Sequence, residues 1–254
     1  MKSNLLITVR FSSSRLPGKC LLKLGHHSVL GHCIARARAQ KFRVIVCTGD
    51  NEADKKIVRE CIKNDCEVFV GNSLNKIARW AECFEHYEIE TGHILDCDDP
   101  YFDTDEISRS LTDLNSKSFD LVRPSHRSDS GFASVGLSIT STFLNLLSAR
   151  TMSLASQDLD VIPWSTLLLP NDRWKFLEDN YIFKGNMQEL RLTLDYIEDL
   201  NLLRKIADKF EFDCKRADVE KFLFENPEIR NINFHRIQDF RENKKLQLHN
   251  QFNL

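Results

Sequence analysis

Ten residues near the amino terminus, from Arg10 to Lys19, combine three cationic side chains with three consecutive serines and a Pro-Gly turn. They follow the apolar run 5–9, which is typical of a buried strand because it is short and bounded by turn residues. In an open α/β sheet, ligands bind at the carboxyl ends of the strands, where this loop would project. Three cations with hydroxyl and backbone donors among them suit a polyphosphate. The loop therefore predicts binding of a nucleoside triphosphate.

A cluster of aspartates marks the end of another apolar run, which starts at His93. Four carboxylates fall within eight positions: Asp96, Asp98, Asp99 and Asp103. Packed carboxylates repel one another unless water, a partner or a cation neutralises them. Because Mg²⁺ typically binds one or two carboxylates together with substrate phosphates, we expect Asp98 to be a metal ligand. The competing interpretation is a solvated loop in which Asp103 caps the helix that starts near Thr104.

A second metal ligand should come from the end of another strand. Asp195 follows the run Arg191–Leu194, whose apolar residues predict a last strand. Both aspartates would then lie at the carboxyl edge of the sheet, beside the basic loop. A role for Asp195 as N-cap of the helix that begins near Ile197 is the alternative, and the two roles are compatible.

The composition of the 254 residues is that of an ordinary globular protein, with 42% hydrophobic and 28% charged residues. The formal net charge of −2 gives no electrostatic reason to expect a nucleic-acid partner. Because no apolar stretch approaches the span of a membrane and the start lacks a signal-peptide core, we expect a cytoplasmic protein with no membrane partner. The eight cysteines include no Cys-x-x-Cys pair, so we expect reduced, mostly buried thiols.

Strands and helices alternate through the first half of the chain. Apolar runs predict strands at 5–9, 42–48, 66–70, 93–95, 119–122 and 135–139, and helical periodicity predicts helices from 30, 53, 74 and 104. This alternation is typical of βαβ units, so the predicted fold is α/β with a largely parallel sheet.

The second half of the sequence is less regular. Residues 150–185 hold two of the three tryptophans and lack a clear period, so we expect an irregular lid or dimer arm there. A helix is predicted from Ile197, and the tail becomes polar and charged, so 197–254 is expected to be a helical extension. Without an internal repeat or a Gly/Ser linker, 1–254 is expected to form a single domain.

Four segments in order resemble one known family. Val9–Lys19 resembles the signature A-R-x-G-S-S/T-R-L-P-G-K of the sugar cytidylyltransferase superfamily, which includes CMP-Kdo synthetase and CMP-sialic acid synthetase. The spore-coat polysaccharide cytidylyltransferase-like group is the most similar. Gly71–Trp80 resembles its G-S-x-x-N-K-x-x-R-W, Asp98–Asp103 its G-D-x-P-L-x-D, and Arg191–Leu200 its R-L-T-x-D-x-P-E-D-L.

The resemblance implies a fold and a set of site residues. The implied fold is the Rossmann-like nucleotide-diphospho-sugar transferase (GT-A-like) fold, a mixed, mainly parallel sheet with helices on both faces. The implied cofactor is Mg²⁺ and the implied assembly a homodimer. By position, Arg10, Arg15 and Lys19 would hold the triphosphate and act in catalysis, while Asp98 and Asp195 would bind the metal. The nucleotide-binding residues implied in the same way are Val9, Arg10, Ser12, Ser13, Ser14, Lys19, Asn75, Arg79 and Asp98.

Three positions depart from the family pattern. Ser12 replaces the usual loop glycine, so the backbone there approaches the phosphates less closely. Cys97 stands where glycine usually precedes the metal aspartate, and Ile197 replaces a proline. None of these changes removes a charged group from the predicted site.

The resemblance thus predicts an Mg²⁺-dependent cytidylyltransferase that couples CTP to a sugar acid or related nucleophile and releases pyrophosphate, for surface polysaccharide or glycan biosynthesis. Candidate residues for binding an anionic acceptor are His126, Arg127, Ser130, Ser134 and Arg191. For the first four, a solvated loop is the competing interpretation.

Two other functions remain open at this point. Asp96-Cys97-Asp98 also fits the Asp-x-Asp pattern with which GT-A-type glycosyltransferases hold a metal on a nucleotide-sugar diphosphate. A third hypothesis is a non-catalytic paralogue that keeps the fold to assemble a complex, and Ser12 and the charged tail favour it. Release of pyrophosphate would distinguish a cytidylyltransferase from a glycosyltransferase.

Overall fold

The computed structural model describes residues 3–152, 167–179 and 190–239, except 117, 127 and 129–133, together with residue 242. Within these residues the strands are Asn4–Thr8 (β1), Lys23–Leu24 (β2), His27–Ser28 (β3), Arg43–Gly49 (β4), Glu67–Gly71 (β5), Thr91–Asp96 (β6), Leu121–Arg123 (β7), Leu137–Thr140 (β8) and Trp174–Phe176 (β9). Seven of them form one mixed sheet in the order β5-β4-β1-β6-β8-β7-β9, and β2 pairs with β3 separately.

The direction of the strands decides which loops share an edge. β5, β4, β1 and β6 are parallel to one another. β8 is antiparallel to both β6 and β7, and β9 is parallel to β7. The carboxyl ends of β1, β4, β5, β6, β7 and β9 therefore lie along one edge of the sheet, where ligands bind in such folds.

The described helices are Val29–Ala39 (α1), Lys55–Lys63 (α2), Lys76–His86 (α3), Thr104–Asn115 (α4), Ser141–Thr151 (α5), Ile197–Ala207 (α6), Arg216–Glu225 (α7) and Pro227–Arg230 (α8). Several begin at a residue whose side chain accepts a backbone N–H of the first turn: Ser28, Asn75, Asp103 and Thr140. The capping role predicted for Asp103 is confirmed. None of the described helices has the length and apolar character needed to cross a membrane.

The apolar core lies on both faces of the sheet. Successive residues of β1 point to opposite faces, so that Leu5 and Ile7 pack with α1 on one side and Leu6 packs with Trp80 of α3 on the other. The predicted α/β fold with helices on both faces is confirmed. The eight cysteines are free thiols and all but Cys214 are buried, as predicted.

Two predictions for the second half of the chain are wrong. Arg191–Leu194 is irregular rather than a strand, because the backbone N of Leu194 donates to the carbonyl of Asp98 (2.7 Å) outside any ladder. Its apolar side chains still enter the core. In the segment predicted to be irregular, Trp174–Phe176 forms the edge strand β9 beside β7. The lid or dimer arm itself stays a prediction, since 153–166 and 180–189 lie outside the described residues.

Candidate active site

Lys19 lies between two aspartates at the carboxyl edge of the sheet. Its Nζ is 2.7 Å from Asp98 Oδ2 and 3.0 Å from Asp195 Oδ1, and it donates to the carbonyl of Leu194 at 2.6 Å. The Lys19 side chain is 14% exposed and that of Asp195 is 5% exposed, so water screens these charges weakly. Burial alone would lower the pKa of Lys19, but the two carboxylates outweigh it and raise that pKa. The ammonium is therefore charged at all physiological pH values.

Asp195 is the centre of a larger group of cations. Arg15 Nη2 donates to Asp195 Oδ1 at 2.6 Å, and Arg191 Nη2 donates to Asp195 Oδ2 at 3.1 Å. Burial alone would raise the pKa of the Asp195 carboxyl, yet Lys19 and Arg15 hold it well below the usual range. Asp195 is thus an ionised carboxylate that binds both Arg15 and Lys19 of the loop between β1 and β2.

Asp199, rather than Asp195, caps helix α6. Its Oδ2 accepts the backbone N–H groups of Asp195 (2.8 Å) and Tyr196 (2.9 Å), and Tyr196 occupies the N-cap position. The predicted cap role of Asp195 is therefore wrong. Asp199 also forms two hydrogen bonds with Arg191, from Nε at 2.8 Å and from Nη2 at 2.9 Å. This pair fixes the backbone that carries Asp195.

Phe11 anchors the basic loop at both of its ends. Its backbone N donates to Asp54 Oδ1 at 2.7 Å, and its carbonyl accepts from Gly18 N at 3.2 Å. Gly18 has φ +67°, and a Cβ there would lie 3.1 Å from the Phe11 ring, so the turn requires glycine. Asp54 is 1% exposed and follows β4. Asp54 is not among the residues predicted from the sequence, because no periodicity or motif distinguishes it.

The other nucleotide-binding candidates of the loop have different degrees of exposure. Val9 is buried and its N–H donates to the carbonyl of Cys47 at 3.0 Å. Ser12 and Ser14 are exposed, whereas Ser13 Oγ accepts from Leu16 N at 3.4 Å. Arg10 is half-buried at the start of the loop. The exposed hydroxyls therefore stay candidates for a phosphate contact.

Asn75 and Arg79, predicted to lie near the nucleotide, are buried at the start of α3. Asn75 Oδ1 caps the helix by accepting from Ile77 N and Ala78 N, and its Nδ2 donates to the carbonyl of Thr151 at 2.9 Å. Arg79 is 1% exposed and donates from Nη1 to the carbonyl of Asn72 at 2.6 Å. Both side chains shape the loop between β5 and α3.

The predicted acceptor-binding residues that the structure describes make different contacts. The His126 ring stacks on Phe176 with centroids 4.0 Å apart, and Ser134 Oγ accepts from Gly136 N at 3.1 Å. Arg191 is buried in the group around Asp199. Arg127 and Ser130 lie outside the described residues.

The donor set fits a magnesium ion held partly by substrate. In the described part of the chain, no group of three or more His, Cys, Asp or Glu side chains is arranged to hold a metal. Asp98 and Asp195 do, however, place one carboxylate oxygen each within 3.0 Å of the same ammonium. Two convergent carboxylates, completed by substrate phosphates, would match the usual coordination of Mg²⁺.

Comparisons with known proteins identify the family of this chain. A family model described as Cytidylyltransferase matches residues 5–217. The spore coat polysaccharide biosynthesis protein SpsF of Bacillus subtilis is 30% identical over 104 residues, which cover 39% of this chain and 43% of SpsF. A cytidylyltransferase from Leptospira borgpetersenii has a similar structure, with a TM-score of 0.78 and 24% identity over 91% of this chain and 98% of that one.

A further solved structure extends the likeness of fold. It is that of CMP-2-keto-3-deoxy-manno-octonic acid synthetase complexed with CTP, with a TM-score of 0.61 and 15% identity over 82% of this chain and 99% of that one. The family model spans most of the chain. This protein therefore belongs to the cytidylyltransferase family, nucleotidyltransferases that use CTP.

Proposed function

We propose that this enzyme transfers the cytidylyl group of CTP to a sugar acid or a related anionic nucleophile, for the synthesis of a surface polysaccharide or glycan. The convergence of Lys19, Arg15, Asp98 and Asp195 at one edge of the sheet carries this proposal. The nature of the acceptor is supported by the names of two similar proteins, one for spore coat polysaccharide biosynthesis and one a synthetase of a CMP-linked sugar acid.

The reaction replaces the phosphoanhydride bond between the α- and β-phosphates of CTP with a new P–O bond to the acceptor. An oxygen of the acceptor attacks the α-phosphorus of CTP, a new P–O bond forms, and the bond from that phosphorus to the bridging oxygen breaks as pyrophosphate leaves. The acceptor hydroxyl gives up its proton to solvent. Such chemistry depends on positioning and on stabilising negative charge in the transition state.

Arg15 and Lys19 are the residues we propose to stabilise that charge. Both already face a carboxylate, so binding of the triphosphate exchanges a carboxylate partner for a phosphate partner. Cation–phosphate hydrogen bonds are charge-assisted and comparable in strength to those with carboxylate. The exchange releases Asp98 and Asp195 at the moment when the phosphates arrive.

Mg²⁺ is the cation we propose for these two carboxylates. When bound, it would neutralise charge on the phosphate oxygens and on the departing pyrophosphate. Asp98 is the more open of the two, with a side chain 29% exposed against 5% for Asp195. We further propose a homodimer that acts in the cytoplasm, where CTP is available.

A pyrophosphate-release screen tests the proposal. The four nucleoside triphosphates are each combined with Mg²⁺ and with neutral sugars, sugar acids or phosphonates. The proposal predicts release that needs both CTP and an anionic acceptor and that stops with excess chelator. Transfer of sugar from a nucleotide-sugar to an acceptor, without pyrophosphate, would instead support a glycosyltransferase that uses Asp96 and Asp98. A chain that binds CTP without turnover against any acceptor would be a non-catalytic paralogue.

A further inference from the structure

Asp50 lies at the carboxyl end of β4, the strand beside β1. The two strands pair in parallel, and the N–H of Val9 continues the ladder to the carbonyl of Cys47. The loop that follows Asp50 touches the basic loop directly, because Asp54 accepts the N–H of Phe11. Asp50 is therefore on the same edge as the proposed triphosphate site, on the side away from β6 and Asp98.

The carboxylate of Asp50 is held in one direction by Ser73. Ser73 Oγ donates a short hydrogen bond to Asp50 Oδ1 and accepts the N–H of Asp50 at 2.8 Å. Ser73 is buried, and its Oγ would lie 2.7 Å from a Cβ at Gly49. Only glycine at position 49 allows this approach. The loops after β4 and β5 thus present a fixed carboxylate.

Asp50 is exposed although its direction is fixed. The hydrogen bond from Ser73 holds the pKa of Asp50 below its usual range, so that the group is ionised at neutral pH. The ion pairs within the described residues do not include Asp50, although the charge of Arg79 also lowers its pKa. An oriented and ionised acceptor at a ligand-binding edge favours a hydrogen-bond donor and repels a phosphate.

We infer that Asp50 selects the base of the nucleotide by accepting a hydrogen bond from the exocyclic amino group of cytosine. This inference rests on the proposed function. The ion pairs of Lys19 with Asp98 and of Arg15 with Asp195 mark the proposed triphosphate end of this edge. Asp50 follows β4, on the other side of β1 from β6, so the nucleoside end would face it. Cytosine presents an amino donor at C4, whereas uracil presents an oxygen acceptor there, and carboxylates accept from the cytosine amino group. Asp50 would therefore favour CTP and reject UTP by repulsion.

The test compares CTP with UTP in the Asp50→Asn variant. The asparagine amide can donate to the C4 oxygen of uracil, so the ratio of kcat/KM for CTP to that for UTP should fall at least about tenfold. Ser73→Ala should also lower this ratio, but by less, because the Asp50 carboxylate is still present and has lost only the hydrogen bond that orients it. Glu52→Gln, which also removes an exposed negative charge that follows β4, is the control and should leave the ratio unchanged.

Two results would overturn the inference. The first is an unchanged CTP to UTP ratio in Asp50→Asn. The second is a change confined to the ratio of CTP to 2′-deoxy-CTP, which would assign the contact to the ribose. Thermal shifts with CTP and UTP separate this question from turnover. If the wild type releases no pyrophosphate but CTP stabilises it more than UTP, and Asp50→Asn abolishes that difference, the proposed function fails and the inference stands.

Discussion

The ammonium of Lys19 lies 2.7 Å from a carboxylate oxygen of Asp98, although the two residues are 79 positions apart in the chain. The contact joins the loop after β1 to the loop after β6 across the carboxyl edge of the sheet. Because both groups are charged and partly buried, each holds the other in place before any nucleotide arrives. The site is thus preorganised by the same side chains that we propose to bind phosphate and metal.

Removing the Lys19 ammonium should abolish most turnover. Lys19→Ala is expected to lower kcat at least ~100-fold, because one donor to transition-state charge is often worth ~3 kcal/mol. Pyrophosphate release under saturating substrates measures the effect. Lys23→Ala, which removes an exposed lysine nearby, is the matched control and should keep the wild-type rate. A wild-type rate in Lys19→Ala would show that Lys19 has no role in the reaction.

Substitution of Asp98 should lower kcat far more than the same substitution of Asp96. Asp98→Asn keeps the shape of the side chain but loses its charge, and we expect about a 100-fold drop in kcat. The Mg²⁺ concentration needed for half-maximal rate should rise as well. Asp96 is exposed at the end of β6 and should tolerate the same change. Equal losses in both variants would favour the Asp-x-Asp arrangement of a glycosyltransferase.

Asp54 should act on CTP binding through the backbone of Phe11. Asp54→Ala leaves that N–H without its acceptor, so the basic loop loses its anchor and the KM for CTP should rise about tenfold. Asp54→Asn retains an acceptor oxygen and should restore much of the affinity. Steady-state kinetics measure both KM and kcat. If the two variants behave alike, the hydrogen bond to Phe11 does not position the loop.

The Arg191–Asp199 pair should matter for stability. Both side chains are almost fully buried, and Arg191→Met leaves the carboxylate of Asp199 without its main partner. Breaking a buried pair in this way costs roughly 3 to 5 kcal/mol, which lowers Tm by roughly 10 °C. Arg43→Met breaks the exposed pair with Glu67 and should cost less than about 1 kcal/mol. Thermal unfolding compares the two, and equal costs would contradict a structural role for Arg191.

His32 should make the fold sensitive to acid. Burial lowers its pKa to about 3, and nearby Arg36 and His27 add to this effect. The unfolded chain takes up a proton below about pH 6.5, so the free energy of unfolding falls as the pH drops from there towards 3. Between pH 7 and 4.5, the free energy of unfolding of His32→Leu should therefore fall by about 2 kcal/mol less than that of the wild type. Urea unfolding at several pH values measures both proteins. If their free energies of unfolding depend on pH in the same way, His32 is not the source of the acid sensitivity.

Much of the parallel half of the fold could be predicted because β1, β4 and β6 are buried on both faces. Continuous apolar runs such as 42–48 mark these strands directly, and the alternating helices follow from their apolar periodicity. The motif Val9–Lys19 then located the basic loop at the carboxyl end of β1. The convergence of Lys19 with Asp98 followed from topology alone, because parallel strands end at the same edge.

The other parts of the fold and of the site depend on contacts between distant residues, which no local sequence pattern indicates. Leu192 and Leu194 are as apolar as strand residues, yet tertiary packing places them in an irregular segment against the Asp98 loop. Asp54 meets Phe11 across 43 positions, and Ser73 meets Asp50 across 23. β9 has only three residues, which is too short for an alternating pattern to stand out.

Titration of CTP into the protein with Mg²⁺ tests the central claim most directly, because it asks whether Lys19 and Asp98 share one nucleotide site. By calorimetry, the wild type should bind one CTP per chain, and Lys19→Ala and Asp98→Asn should each weaken binding at least about tenfold. The wild type with excess chelator should show the same weakening as Asp98→Asn. Wild-type affinity for CTP in both variants would contradict the account.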